Sequence, residues 1–281
     1  MKTVGVIGTG TMGSGLIQLF AQKGYTVVMR ARRQSSIDKC KEKVVASFNK
    51  LVAKGKLTEE EAKAALARIS DSTDLSIMKD ADFIVEATTE DITVKKELMK
   101  ELNTICRPEV IFASNTSSLS ITEIAAASGR ADKVIGMHFF NPVGVMKLVE
   151  VIKGFTTSEE TNTFAIELAK ELGKEPVEVA EAPAFICNRL LIPMINDGIN
   201  ILAEGSATRE DIDAAMKLGA NHPMGPLELG DFIGLDVVLA IMDVLYYEFG
   251  DTKYRACPLL RKMVRAGKLG RKTGEGFYKY N

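Results

Sequence analysis

The sequence predicts an α/β protein, a doubly wound, largely parallel sheet followed by an all-α domain. Three observations carry that expectation. Residues 4–30 read as strand, glycine turn, helix and second strand; four short apolar runs then follow as far as residue 152, the first three separated by helix-like segments; and beyond Pro183 only helical periods remain.

The first run, Val4-Gly-Val-Ile7, leads into Gly8-Thr-Gly-Thr-Met-Gly13, a helical stretch to Lys23 and a second run, Tyr25-Thr-Val-Val-Met-Arg30. A Gly-x-Gly-x-x-Gly turn between a strand and a helix is the Rossmann-type fingerprint, whose glycines let a dinucleotide pyrophosphate approach the helix N-terminus. Gly8, Gly10, Thr11, Met12 and Gly13 are therefore cofactor-binding candidates. After the second strand, the position where an acidic residue would hold the ribose hydroxyls of NAD carries Ala31, flanked by Arg30, Arg32 and Arg33. Loss of the carboxylate removes its repulsion of a 2′-phosphate, which a guanidinium can grip with two parallel hydrogen bonds. NADP(H) is the expected preference, with NAD(H) also used if the arginines are merely solvated.

Residues 37–68 are helical and heavily charged, with Phe48, Leu51 and Val52 on one side and Lys50, Lys54 and Lys56 protruding; Thr58-Glu-Glu-Glu61 has the form of a capping box. A helical hairpin inserted between strands, with a basic rim, is predicted. A solvated face is the ordinary reading of such lysines, but three within seven residues near a nucleotide site also suit an anionic ligand.

Further apolar runs follow at Phe83–Val85, Val110–Ala113, Val134–Met137 and Leu148–Ile152. In a doubly wound sheet, ligands bind at the carboxyl ends of strands, so residues 86–90, 114–118 and 138–141 should converge on one crevice. The helical part begins at Phe185 and contains a second capping signature, Thr208-x-x-Asp211, an interior Pro193 that should kink the first helix, and an almost wholly apolar run from Leu235 to Tyr247 suited to a buried or interface helix. The predicted domains are residues 1–184, binding the dinucleotide, and 185–281, all-helical.

Composition narrows the function. The 36 basic and 37 acidic residues nearly cancel, so no global field points to nucleic acid or an anionic membrane. Cys40, Cys106, Cys187 and Cys257 have no metal-ligand spacing and read as reduced thiols; no metal site is expected. No apolar run reaches the roughly 18 to 20 residues of a membrane span, and a soluble, cytoplasmic enzyme is expected.

The chain has two histidines. His138 follows a strand, whereas His222 sits in a Pro/Gly-rich turn where packing is the simpler role. Glu150 falls in an otherwise apolar run, where a carboxylate is costly to bury without a partner. Paired with His138 it would fix the tautomer and favour the imidazolium, leaving the other ring nitrogen to exchange a proton with substrate. Ser114-Asn-Thr-Ser-Ser118 supplies hydroxyls and the Asn115 amide, suited to polarising a carbonyl or holding a nicotinamide, although capping of the next helix by Ser120-x-x-Glu123 is an equally direct use of this segment. Asn188 and Asn221 are either substrate ligands or satisfied amides.

Taken together, Gly8–Gly13, Glu86-Ala-Thr-Thr-Glu90, Ser114–Ile121, His138-Phe-Phe-Asn-Pro142, Met146–Glu150, Asn221–Leu227 and Gly270–Tyr278 resemble the 3-hydroxyacyl-CoA dehydrogenases along the whole chain, most of all bacterial 3-hydroxybutyryl-CoA dehydrogenases. The resemblance implies that His138 is the acid/base and Glu150 its orienting partner. It implies that Ser117 and Asn188 bind the substrate's 3-oxygen, that Glu90, Lys95, Asn141 and Lys272 contact the cofactor with Ser117, and that Ser47 and Lys54, near Lys50, hold coenzyme A. It further implies reversible reduction of acetoacetyl-CoA to (S)-3-hydroxybutyryl-CoA in a homodimer joined through the helical domain. A sugar-acid dehydrogenase of the gulonate type and a non-catalytic nucleotide-binding protein are the alternatives.

Overall fold

The computed structural model describes residues 3–280, which divide into two compact units, the first ending at Ala182 and the second beginning at Pro183. Among the described residues of the first unit, strands β1 (Thr3–Ile7), β2 (Thr26–Arg30), β3 (Ile69–Ser72), β4 (Phe83–Glu86), β5 (Ile111–Ser114), β6 (Val134–Phe139), β7 (Leu148–Lys153) and β8 (Glu175–Ala180) form one sheet in the order β3-β2-β1-β4-β5-β6-β7-β8. The first six run parallel in the doubly wound dinucleotide order; β7 pairs antiparallel with β6, and β8 runs parallel to β7. Both strands that the apolar pattern failed to reveal, β3 and β8, lie at the edges. There one face meets solvent and the sequence stays polar, Ile-Ser-Asp-Ser and Glu-Pro-Val-Glu-Val-Ala.

The switch point of this order lies between β1 and β4, where the glycine turn leads into helix α1 (Thr11–Gln22). Gly8 has φ 105°, and a Cβ there would come within 2.3 Å of the Ala87 carbonyl oxygen; one on Gly13 would meet the Gly8 carbonyl oxygen at 1.9 Å. Those contacts require glycine and hold α1 tightly against the turn. The inserted hairpin is α2 (Gln34–Ala53), which starts three residues before its expected limit, and α3 (Glu59–Leu66). Thr58 and Glu61 cap α3 reciprocally, as the sequence motif requires. The hairpin packs Ile37, Val44, Phe48, Ala62 and Ala65 against the core formed by Val4, Val6, Ile17, Phe20 and Met29. Helices α4 (Ile92–Ile105), α5 (Ile121–Ala127) and α6 (Glu159–Glu171) complete the unit, and Ser120 caps α5 on the Glu123 amide.

The second unit is helical: α7 (Cys187–Ala203), α8 (Arg209–Gly219), α9 (Pro226–Ile233), α10 (Leu235–Phe249) and α11 (Pro258–Arg265). Pro193 lies inside α7, and Thr208 caps α8 on the Asp211 amide. Ala184 is fully buried within this unit's core, so the division falls slightly earlier than residue 184. Two buried carboxylates organise its polar interior. Asp213 accepts the Leu227 and Glu228 amides that open α9, together with the Tyr278 hydroxyl; Asp231 accepts the amides of Phe277 and Tyr278 and the Tyr280 hydroxyl. Burial, then the bond to Asp231, pushes the Tyr280 phenol up to about 12.

Asp231 thus ties the C-terminal segment to α9. Asp231→Ala leaves two amides near the chain's end without their acceptor, and should lower stability by about 2 to 4 kcal/mol, read as a shift in the urea midpoint.

Candidate active site

At the switch point a cleft of about 660 Å³ is lined by Ile7, Gly8, Thr9 and Gly10 on one side, Arg30, Ala31, Arg32 and Ser36 at one end, and Ala87, Thr88 and α4 opposite. A Cβ on Gly10 would meet nothing within 4 Å, so the backbone there is open to a ligand, and Gly10 is the N-cap residue of α1, with no side-chain cap on the helix's first amides. Ala31 is 8% exposed; Arg32 is exposed, and Arg33 is the N-cap residue of α2. Arg30 is anchored, its Nε donating to the Thr73 carbonyl at 3.2 Å.

Next to this cleft lies a polar cluster that the motif reading placed in the crevice without its wiring. Glu86, at the end of β4, is fully buried. Its carboxylate accepts both-oxygen contacts from Lys95 Nζ at 2.8 Å, the Ser114 hydroxyl at 2.7 Å and the Thr88 amide at 2.6 Å. Lys95 is 1% exposed, so it meets its surroundings through charge, its Nζ lying 3.6 Å from the nearer Glu90 oxygen. The other oxygen of Glu90 receives the Thr116 hydroxyl at 2.7 Å, the Ser117 amide at 2.7 Å and hydroxyl at 3.0 Å, and the Ser118 amide at 3.1 Å and hydroxyl at 3.3 Å. Burial pushes the Glu90 carboxyl up, but Lys95 and the donors of Thr116 and Ser117 outweigh it and hold the group below the ordinary carboxylate range. A depressed value means that the anion, and the loop it gathers, persists as pH falls through that range and is lost only beneath it.

One strand further along, the antiparallel register sets His138 directly opposite Glu150. Opposed residues share a face with their Cβ atoms about 5 Å apart, and here Nδ1 of His138 lies 2.8 Å from Glu150 Oε2, the residues being 6% and 1% exposed. The Phe140 ring packs on the imidazole at 4.3 Å between centroids. With Nδ1 committed to the carboxylate, any proton exchange at this ring would run through Nε2. Asn115 follows β5; its Oδ1 accepts the Phe139 amide at 2.9 Å, tying the Ser117 loop to the end of β6, a bracing role the sequence did not indicate.

A second groove, of about 610 Å³, runs between α1 and α2 and is lined by Thr11, Ser14, Gln18, Lys43, Ser47, Lys56, Asn141 and Val143. Ser47 and Asn141 thus share one groove with the glycine turn's Thr11. Lys50 and Lys54 are exposed at the C-terminal end of α2, while Lys43 and Lys56, of which only the latter stood out in the sequence, face the groove itself. In the helical unit, Asn188 is the second residue of α7, and Lys272 Nζ bonds Asp236 at 2.6 Å. Asn221 is exposed at φ 56° just past α8, a left-handed position that asparagine tolerates and that ends the helix. Among the described residues, no group of three or more His, Cys, Asp and Glu gathers as a metal site, and no helix is long and apolar enough to cross a membrane.

Residues 3–182 match the model of the 3-hydroxyacyl-CoA dehydrogenase NAD-binding domain, and residues 185–280 that of the 3-hydroxyacyl-CoA dehydrogenase C-terminal domain. The chain belongs to the 3-hydroxyacyl-CoA dehydrogenase family. It is thus an oxidoreductase of a family whose first domain binds a nicotinamide cofactor. Among its relatives is the 3-hydroxybutyryl-CoA dehydrogenase of Clostridioides difficile, 58% identical over 98% of both chains. The human mitochondrial hydroxyacyl-coenzyme A dehydrogenase is 46% identical over 100% of this chain and 91% of its own. The crystal structure of (S)-3-hydroxybutyryl-CoA dehydrogenase from Ralstonia eutropha superimposes with a TM-score of 0.96 at 50% identity, covering 100% of this chain and 99% of that one.

The buried Glu86–Lys95 pair gives this family member a stability test. Lys95→Met strands a carboxylate in the core and should cost about 3 to 5 kcal/mol, measured by denaturant unfolding. Pairing it with Glu86→Gln should recover part of that loss.

Proposed function

We propose that the protein is a 3-hydroxybutyryl-CoA dehydrogenase that interconverts acetoacetyl-CoA and (S)-3-hydroxybutyryl-CoA, with NADPH preferred over NADH. The observation that carries the reading is the His138–Glu150 pair, buried and in register near the carboxyl end of β6, in the sheet whose glycine turn opens the cleft at the switch point. The names and full-length coverage of the relatives support the substrate, and the Ralstonia eutropha protein's name supports the stereochemistry.

In reduction, a bound nicotinamide would supply the hydride for the 3-carbonyl carbon. Protonated His138 donates from Nε2 to the carbonyl oxygen, and Glu150 stabilises the imidazolium and keeps the ring turned. Ser117 and Asn188 hold the oxygen where negative charge develops. In oxidation the neutral ring takes the hydroxyl proton instead. Gly8, Gly10, Thr11, Met12 and Gly13 would cradle the pyrophosphate, and Glu90, Asn115, Asn141 and Lys272 would hold the rest of the cofactor, with the buried Lys95 acting on it through charge. Coenzyme A runs along the α1–α2 groove, with Ser47 at its wall and Lys50 and Lys54 at its rim for the phosphates. Asn221 is kept as a substrate-side residue, although its left-handed backbone already accounts for asparagine there.

The preference for NADPH rests on the end of the cleft at Arg30, Ala31 and Arg32. No carboxylate follows β2 to repel a 2′-phosphate, and Arg32 is exposed and lines the cleft. One charge-assisted hydrogen bond contributes about 1.5 to 3 kcal/mol, or about tenfold to a hundredfold in affinity. A cytoplasmic homodimer joined through the helical unit completes the reading. Leu190 and Tyr247 of that unit are 72% and 85% exposed, apolar surface that a second copy would cover.

A steady-state assay of acetoacetyl-CoA with NADPH and NADH side by side tests substrate and cofactor together. His138→Gln should lower kcat by about two to four orders of magnitude with little change in cofactor affinity; near-normal turnover would remove His138 from the chemistry. Ala31→Asp with neutral residues at 32 and 33 should move preference towards NADH, and an unchanged NADPH/NADH ratio of kcat/KM would remove the phosphate clamp.

A further inference from the structure

Five donors from three consecutive residues point at a single oxygen of Glu90: the hydroxyls of Thr116, Ser117 and Ser118 and the amides of Ser117 and Ser118. A carboxylate oxygen offers two lone-pair directions, so the set is oversubscribed. The amides are fixed by the backbone, whereas the hydroxyls rotate. Thr116 is fully buried and held further, its oxygen accepting the Leu119 amide at 3.0 Å. Ser117 is half-buried, and its hydroxyl carries one proton. While that proton lies on Glu90, it cannot lie on a ketone oxygen.

We propose that Glu90 is a positioning residue that parks the Ser117 hydroxyl and releases it cheaply to the substrate's 3-oxygen, because the same carboxylate oxygen keeps four other donors. The proposal rests on the reading of Ser117 as a substrate-side donor. No bond is made or broken in the step. The hydroxyl rotates, Glu90 stays satisfied through Thr116 and the two amides, and the developing alkoxide gains a donor whose desolvation has already been met inside the loop. Lys95, held by Glu86, supplies the charge that keeps Glu90 ionised. The wiring from Glu86 through Lys95 to Glu90 therefore sets how firmly the hydroxyl is held before substrate arrives.

Strength of parking is the quantity to vary. Glu90→Gln keeps an oxygen acceptor in the nest without its charge, weakening the hold; Ser118→Ala removes a competing donor and tightens it. Glu90→Gln should lower KM for acetoacetyl-CoA by about threefold or more, and Ser118→Ala should raise it comparably, with both effects vanishing in a Ser117→Ala background. Cofactor affinity, read by NADPH fluorescence titration, separates any direct effect of residue 90 on the dinucleotide. Equal factors in the presence and absence of Ser117 would overturn the proposal. A Ser117→Ala enzyme with unchanged kcat would instead overturn the donor role on which it rests. Should Glu90→Gln fold poorly, the Ser118→Ala and Ser117→Ala cycle decides alone.

Discussion

The antiparallel pairing of β7 with β6 is the constraint on which the candidate site depends. A parallel neighbour with its ends matched would set Glu150 opposite Gly136, out of step with His138. Because β7 returns alongside β6, two residues twelve apart in sequence face each other across one ladder. The imidazole and carboxylate are both nearly excluded from solvent, where either alone would be expensive, and each removes the other's desolvation problem. Orientation of the ring follows from the sheet rather than from a flexible loop, a placement suited to geometry that must hold within fractions of an ångström.

A second buried charge system acts at the adjacent strand ends. Glu86 at the end of β4 binds Lys95 from α4 and Ser114 from β5, joining three elements around the switch point. Lys95 then biases Glu90 towards its anion, and Glu90 gathers residues 116–118. Asn115 fastens the same loop to the backbone of β6 one residue from His138. The cofactor cleft, the serine loop and the histidine strand are thereby one hydrogen-bonded body, so displacement in any part would be felt in the others.

Much of this was legible in the residues. The glycine turn announced its own geometry, since Gly8 and Gly13 stand where a Cβ would strike a backbone carbonyl. Interior strands declared themselves as apolar runs, because both of their faces are covered. Capping residues at 58, 120 and 208 marked helix starts by local hydrogen bonds that need no distant partner. Edge strands β3 and β8 escaped detection for the complementary reason, their outward faces carrying polar side chains. Lys95 stood out only through motif likeness, as a cofactor contact, and not as the buried counter-charge of Glu86.

By itself, then, the sequence determined the order of elements, the position of the dinucleotide turn and the absence of a carboxylate after β2, since each depends on neighbours within a few residues. The scarcity of histidine and the cost of a carboxylate in an apolar run singled out His138 and Glu150, and motif likeness added the family. Only the tertiary structure decided that β7 runs back against β6, that five donors meet on one oxygen of Glu90, and that Lys56 faces the groove while Lys50 and Lys54 stand at its rim. Register, convergence and the facing of a side chain are properties of segments far apart in the chain. They are settled when burial and hydrogen-bond satisfaction are met across the whole sheet at once, and no local pattern encodes them.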